Sequence, residues 1–277
     1  MSKEYRVKPG DKINIKSFNP DDDSWMPESQ EQLKSELKKL RKRLIKLQQL
    51  LYAQNKHKLL IVLQALDSGG KDGTIRSIFK GVNPQGVKVA NFKVPTPIEL
   101  SHDYLWRVHS KTPATGEIVI FNRSQYEDVL VVRVRDLAPE KVWKRRYQHI
   151  KEFERLLADE GTTILKFFLN ISKAEQKKRF LSRITNPEKQ WKFNPGDIDE
   201  RQFWDDYMSA YQDAITRTST SYAPWFIIPS NNKSYRDYVI ATIIVETLKK
   251  LKMEYPQPIN QIESYAEILE QEKKQPA

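Results

Sequence analysis

The chain has 277 residues, of which 47 are lysine or arginine and 36 aspartate or glutamate, for a formal net charge of +11. That length fits one large α/β domain with an appendage or two small domains, and the charge calls for an anionic partner: nucleic acid, an acidic membrane surface or a phosphate-rich substrate. Cysteine is absent, which excludes disulfides, cysteine-ligated zinc and thiol catalysis and suits a reducing cytoplasm; no apolar run is long enough to predict a membrane span, and the first residues lack the apolar stretch of a secretory signal.

Residues 1–27, with the acidic run Asp21-Asp22-Asp23, read as an extended arm. A helix is predicted from near Pro27, with Leu33, Leu37, Leu40, Leu44, Leu47 and Leu51 at alternating spacings of four and three. So short a stripe is compatible with two roles, a coiled coil between subunits or docking on the chain's own sheet. The branched apolar run at 59–64 predicts a buried strand, which stops at the turn Asp67-Ser68-Gly69-Gly70-Lys71. Ile75, Ile78 and Phe79 then carry a helical period. Further strands are expected at 87–94, 117–122, 162–169 and 225–228. Helices are expected at 98–109, 139–160, 172–184 (capped by Ser172) and 235–251, with 126–135 a helix or turn. Residues 186–197 read as a loop, after which a helix resumes to about Tyr222; the charged tail beyond Pro256 reads as peripheral. Alternation of strand and helix predicts a parallel sheet with helices on both faces.

Three constellations carry chemistry. The first is the Gly-Lys turn between strand and helix, where freed backbone N–H groups and a lysine suit a phosphate. It departs from the P-loop pattern G-x-x-x-x-G-K-S/T: Ala65 replaces the first glycine, and Asp72 stands where a hydroxyl normally holds Mg²⁺. Asp67 or Asp72, as hard oxygen ligands, are candidates for that task. The competing reading is a surface turn with a flexible lysine, but the strand before and the helix after supply the context a phosphate loop requires. The second constellation is Asn122-Arg123-Ser124-Gln125-Tyr126-Glu127-Asp128 at a strand's carboxyl end, where open parallel sheets place ligands. There Arg123 suits a bidentate clamp on phosphate oxygens. The third is the basic stretch 173–201: Arg179 and Arg183 share a helix face, and Lys189, Trp191 and Lys192 follow in a proline-bounded loop. A basic helix and loop fit a closing lid; the lysines fit a solvated face equally well.

Other signals are weak. His102 and His109 lie seven apart without further ligands, which favours packing over metal binding, and neither G-x-S-x-G nor H-E-x-x-H occurs. Trp143 and Tyr147 among arginines hint at nucleic acid, but no recognised binding motif accompanies them.

Ala65 through Gly73, Phe121-Asn122-Arg123-Ser124-Gln125-Tyr126-Glu127-Asp128-Val129 and Asn186-Pro187-Glu188-Lys189-Gln190-Trp191-Lys192, in that order, resemble the family-2 polyphosphate kinases over about residues 30–255. The resemblance implies an α/β, thymidylate-kinase-like P-loop fold of three layers, with a parallel sheet and a helical lid. It implies a single kinase domain at 28–255, with the lid formed by about 139–160 and 172–201. It also implies reversible, Mg²⁺-dependent transfer of the terminal phosphoryl group of inorganic polyphosphate to a nucleotide, with Mn²⁺ as a substitute metal. Asp67, Lys71, Arg123, Arg179 and Arg183 would be catalytic, Asp67 also holding the metal. Gly69, Gly70, Asp72, Gly73, Thr74, Asn122, Ser124, Tyr126, Glu127, Asp128, Lys189, Trp191 and Lys192 would surround the substrates. The family's second motif often begins Phe-Asp-Arg-Ser-Trp; here Asn122 and Gln125 replace its aspartate and tryptophan, so direct metal ligation does not carry over to Asn122. This variant looks like the branch called class III, which accepts both mono- and diphosphates, taking AMP to ADP to ATP, with other bases open. A polyphosphate chain accounts for the charge without nucleic acid or membrane; Lys80, Arg133, Lys144 and Arg145 are candidates to line its channel. A cytoplasmic homodimer or homotetramer is expected. Two other readings stay open: an ATP-dependent nucleotide kinase, and a nucleic-acid-binding or coiled-coil scaffold with an incidental Gly-Lys turn.

Overall fold

Five strands in parallel order β2-β3-β1-β4-β5 form the centre of the computed structural model, which describes residues 3–260 and 262–272. They are β1 (Lys58–Gln64), β2 (Val87–Asn91), β3 (Ile118–Asn122), β4 (Thr162–Asn170) and β5 (Trp225–Pro229). Period-two alternation divides their side chains between two cores. Leu59, Ile61 and Leu63 of β1, with Ile118 and Ile120 of β3, join one; Leu60, Val62, Val119 and Phe121 join the other. Register then places the site. Leu63 lies opposite both Asn122 and Phe167, so β1 and β3 finish level, and the Arg123 amide continues the ladder by donating to the Leu63 carbonyl at 3.1 Å.

The first core is covered by the leucine-striped helix (Gln30–Gln54) and the last long helix (Lys233–Lys250). Leu33, Leu37, Leu40, Leu44 and Leu51 are buried with Val239, Ile240, Ile243 and Ile244, and Leu47 is half-buried against them. The stripe is therefore spent within the chain, not on a coiled coil between subunits. Each leucine taken from water contributes on the order of 2 kcal/mol. Ser29 caps this helix by accepting from the Gln32 amide, and Asn55 ends it in the left-handed region, φ 53°.

The second core corrects an expectation about the lid. Helix Glu140–Asp159 buries Trp143, Tyr147, Ile150, Phe153 and Leu157 against the sheet beside Met208, Tyr211 and Ile215 of helix Trp204–Thr218. A segment that closes over substrate must be free to leave, and this one is a structural layer. The resemblance placed part of a lid here, but the amphipathic period of this helix reflects burial.

The N-terminal arm closes the β5 edge: the Val7 amide donates to the Trp225 carbonyl and the Ile227 amide to the Tyr5 carbonyl, each at 2.9 Å. That pairing protects an edge that would otherwise invite another strand. The expected helix at 98–109 is two short pieces, Pro97–Leu100 and Trp106–His109, because the Asp103 side chain turns the chain between them by accepting from the Leu105 amide. His102 stacks on Trp106 and His109 packs edge-on to Phe153, both packing roles. A helix, Ile262–Glu272, lies in the tail. Among the described residues no helix is long and apolar enough to cross a membrane.

Candidate phosphoryl-transfer site

The loop after β1 has a steric reason for each glycine. A Cβ on Gly69 would collide with the Ala65 side chain and sit 2.8 Å from the Leu66 carbonyl. Gly70 has φ 104°, and a Cβ there would strike the Arg236 guanidinium. Helix Lys71–Ile78 starts at Gly70 with no side-chain cap, so its first-turn N–H groups point unpaired into the cleft. Ser68 and Arg123, both non-glycine, have φ of 60° and 62°. The two left-handed residues flank the same site, where such backbone is held by its surroundings.

Lys71 folds back so that its ammonium donates to the Ala65 carbonyl at 2.8 Å, leaving the residue 9% exposed. Burial first, and then the Arg123 guanidinium, push its pKa down to about 8, against the opposing pull of Asp67, Glu127 and Asp72. Arg123 is ion-paired with Asp67 at 2.8 Å. Burial raises the Glu127 carboxyl, and the cations Arg123 and Lys71 pull it back. With the Gln64 amide oriented to satisfy its neighbours, its nitrogen donates to Glu127 at 3.0 Å and its oxygen accepts from the Ser124 amide. Asn122 donates to Asp72 at 2.7 Å. An aspartate in place of Asn122 would set two carboxylates against each other; the amide instead fixes the Asp72 carboxylate.

The facing wall is helix Lys173–Thr185, capped by Ser172 as its sequence predicts. Arg179 differs from its expected role. It donates to the carbonyls of Ser68, Gly69, Ser230 and Asn231 and to the Glu175 carboxylate, so all its N–H directions are occupied. It ties the glycine loop to the end of β5 and is a positioning residue. Arg183 pairs with Asp197 at 3.1 Å; Trp191 is 77% exposed, with Lys192 over its ring at 4.8 Å. Lys189, Trp191 and Lys192 all line the cleft, which measures about 1060 Å³.

Several lining residues escaped the sequence: Arg76, Lys93, Lys178, Lys233 and Arg236. The signal for the last two was present, because β5 ends at Pro229 and Asn232 caps a helix bearing both cations in its first turn. Arg236 is 2% exposed; its Nε and Nη2 donate to Asp237, and its buried Nη1 has no partner among the described residues. An unpaired buried guanidinium nitrogen is costly, and a phosphate oxygen at the loop would satisfy it.

Four expected substrate contacts lie behind the wall. Thr74 is buried; the Ser124 hydroxyl accepts from the Tyr126 amide; Asp128 pairs with Arg146 at 3.1 Å and is pushed up to about 6, chiefly by burial. The Tyr126 hydroxyl joins a fully buried network with Glu154, Lys166 and Thr218. Tyr126 therefore anchors the Arg123 loop from beneath. Of the channel candidates, Arg133 pairs with Asp213 and lies over Trp143, Lys144 pairs with Glu140, and Lys80 and Arg145 are exposed outside the cleft.

Among the described residues no group of three His, Cys, Asp or Glu side chains could hold a metal alone. Mg²⁺ in phosphoryl-transfer sites asks for less, one or two carboxylates with the rest supplied by phosphate and water. Asp67 and Asp72, both on the cleft wall, fit that requirement.

A parallel sheet of this strand order, with unpaired helix-start amides facing a cationic helix across the cleft, has the fold of the P-loop kinase-like phosphotransferases. Within that class the chain belongs to the polyphosphate kinase 2 family, whose model matches residues 27–256. It is 59% identical over 256 residues to an AMP/ADP-polyphosphate phosphotransferase of Meiothermus ruber, covering 92% of this chain and 96% of that one. An ADP-polyphosphate phosphotransferase of Rhodopseudomonas palustris is 44% identical over 268 residues, 92% of each chain. The crystal structure of polyphosphate kinase 2 from Arthrobacter aurescens TC1 superposes with a TM-score of 0.93 at 38% identity, covering 98% of this chain and 96% of that one.

Proposed function

We propose that this chain transfers the terminal phosphoryl group of inorganic polyphosphate to nucleoside mono- and diphosphates, taking AMP to ADP to ATP, reversibly and with Mg²⁺. One observation carries the reading beyond the family: eleven lysines and arginines line the cleft against five carboxylates. Such an excess suits a donor that carries a charge on every unit. An ordinary mononucleotide pocket needs fewer.

The unpaired amides of the loop and the Lys71 ammonium hold the migrating group, and Arg236 Nη1 takes an oxygen from below. Arg123, set by Asp67 and its left-handed backbone, grips the acceptor phosphate. The attacking oxygen is already ionised, so no general base is needed; rate comes from alignment and from charge held ready in a partly dry cleft. Mg²⁺, held by Asp67 and Asp72, would neutralise charge on the phosphate oxygens. Arg183, Lys189, Trp191 and Lys192 close the site and exclude water.

A homodimer or homotetramer would have to use a face other than the leucine stripe, and light scattering reads the subunit number. We place the enzyme in the cytoplasm with its nucleotides, which fractionation tests. The reaction is tested by supplying AMP and polyphosphate without any nucleoside triphosphate. ADP and then ATP are expected; formation of ADP only after ATP is added as donor would identify an ordinary nucleotide kinase.

A further inference from the structure

The leucine-striped helix has a second face that the site does not use. Lys34, Lys38, Lys42 and Lys46 stand four residues apart along it, all exposed, with exposed Lys39 and Arg43 beside them. Among the described residues only Lys39 of these six has a carboxylate partner, Glu36 at 2.7 Å. Like charges at this spacing oppose helix formation, and a face that merely needs solvating mixes its signs. Helix Glu140–Asp159 does so, pairing Glu140 with Lys144 and Arg155 with Asp159. The uncompensated row spans about 18 Å at the helical rise per residue.

The row is joined to the cleft. Arg41, in the same helix, donates to Ser77 of the helix that follows the glycine loop, at 2.6 Å, and Ile45 packs against Gly81. Arg76, the neighbour of Ser77, lines the cleft, and Lys80 is exposed in the turn just past the end of that helix. Cations therefore lead from the loop past Arg76 and Lys80 towards the lysine row.

We propose that this row is a second binding surface for the donor, which holds the part of a long polyphosphate chain that extends beyond the cleft. The inference rests on the phosphotransfer reading above and adds to it. Two sites on one polymer raise the effective concentration of the reacting end without changing the chemistry there. A donor too short to leave the cleft gains nothing.

The test is the quadruple variant Lys34→Gln, Lys38→Gln, Lys42→Gln, Lys46→Gln, which keeps good helix formers and leaves the leucine face alone. AMP phosphorylation is followed with polyphosphate of hundreds of units and with tetraphosphate. The expected result is a KM for the long chain raised about tenfold, with a salt dependence flattened by two to three units of log–log slope, roughly 0.7 per lost phosphate contact. The KM for tetraphosphate and kcat with both donors stay unchanged. A long-chain KM that moves less than twofold, or rises equally with both donors, overturns the proposal. Duplex DNA that competes with the long chain at lower concentration in the unmutated protein only would assign the row to nucleic acid instead. No turnover by the unmutated chain with either donor would instead defeat the phosphotransfer reading itself.

Discussion

The two walls of the cleft are built differently. In the cradle, residues 65–73 and 122–127, nearly every atom has a reason fixed by the core: Gly69 and Gly70 have no room for a Cβ, Lys71 is folded onto the Ala65 carbonyl, and Tyr126 is pinned among Glu154, Lys166 and Thr218. Across the cleft, Trp191 is exposed and its indole N–H reaches only the nearby Glu188 carbonyl; Gln190 likewise reaches back to Ile184. Phosphoryl transfer needs both kinds of wall. Charge must be in place before the reaction, and something must open for polymer and nucleotide to exchange. Arg179 shows that the division does not follow helix boundaries, since it sits on the facing helix, Lys173–Thr185, yet is bonded to the cradle.

The strongest way to break this contrast is Gly70→Ala. The left-handed backbone and the Arg236 guanidinium both oppose the methyl group, so turnover should fall by at least about a thousandfold while circular dichroism stays native. Retained activity would mean that the loop is not held as described.

Next come Lys71→Ala and Arg123→Ala, each expected to lower kcat by about a hundred- to a thousandfold with the fold intact. Lys71 also predicts a pH dependence. Its pKa is pushed down to about 8, and only the protonated form attracts phosphate, so kcat/KM should fall as pH rises through that value. Bound donor would draw the pKa upward, so the limb should lie at higher pH in kcat than in kcat/KM. Lys71→Ala should remove the limb.

Arg179 sharpens the comparison through stability. Arg179→Ala leaves four backbone carbonyls without their buried partner and should cost about 2–4 kcal/mol in denaturant unfolding, with a lowered kcat. Arg183→Ala, four residues on, should leave stability within about 0.5 kcal/mol and act on turnover alone. Equal destabilisation by the two would erase the distinction. The smallest effect is expected from Trp191→Ala: about a tenfold rise in nucleotide KM, if the ring stacks on the acceptor base, with kcat little altered.

Much of the cradle was legible in the sequence because its demands are local. A branched run that ends in Gly-Gly-Lys announces a strand, a tight turn and a helix, and the rule for open parallel sheets sets Arg123 at the same strand ends, where both line one cleft. Ser172 capped its helix as its position suggested. What escaped depends on direction and partners, which spacing does not encode. Helix Glu140–Asp159 has the amphipathic pattern of a lid and of a core layer alike, and only the sheet beneath it decides. Tyr126 and Ser124 share a motif with Arg123 but turn inward, because a loop that presents one side chain to a cleft must bury its neighbours. Two arginines differ from what the sequence suggested: Arg179, expected to face the substrate, is saturated by carbonyls and Glu175, and Arg236, which the sequence reading passed over, has a buried Nη1 without a partner among the described residues.

The most direct measurement is a phosphorus NMR time course with AMP, Mg²⁺ and polyphosphate as the only phosphoryl donor. The ADP β-resonance should appear first and the ATP γ-resonance after it, while the polyphosphate signal shrinks, and Arg123→Ala should slow both steps together. An unchanged polyphosphate spectrum from folded protein, or ATP formed at an undiminished rate by the Arg123 variant, would contradict the account.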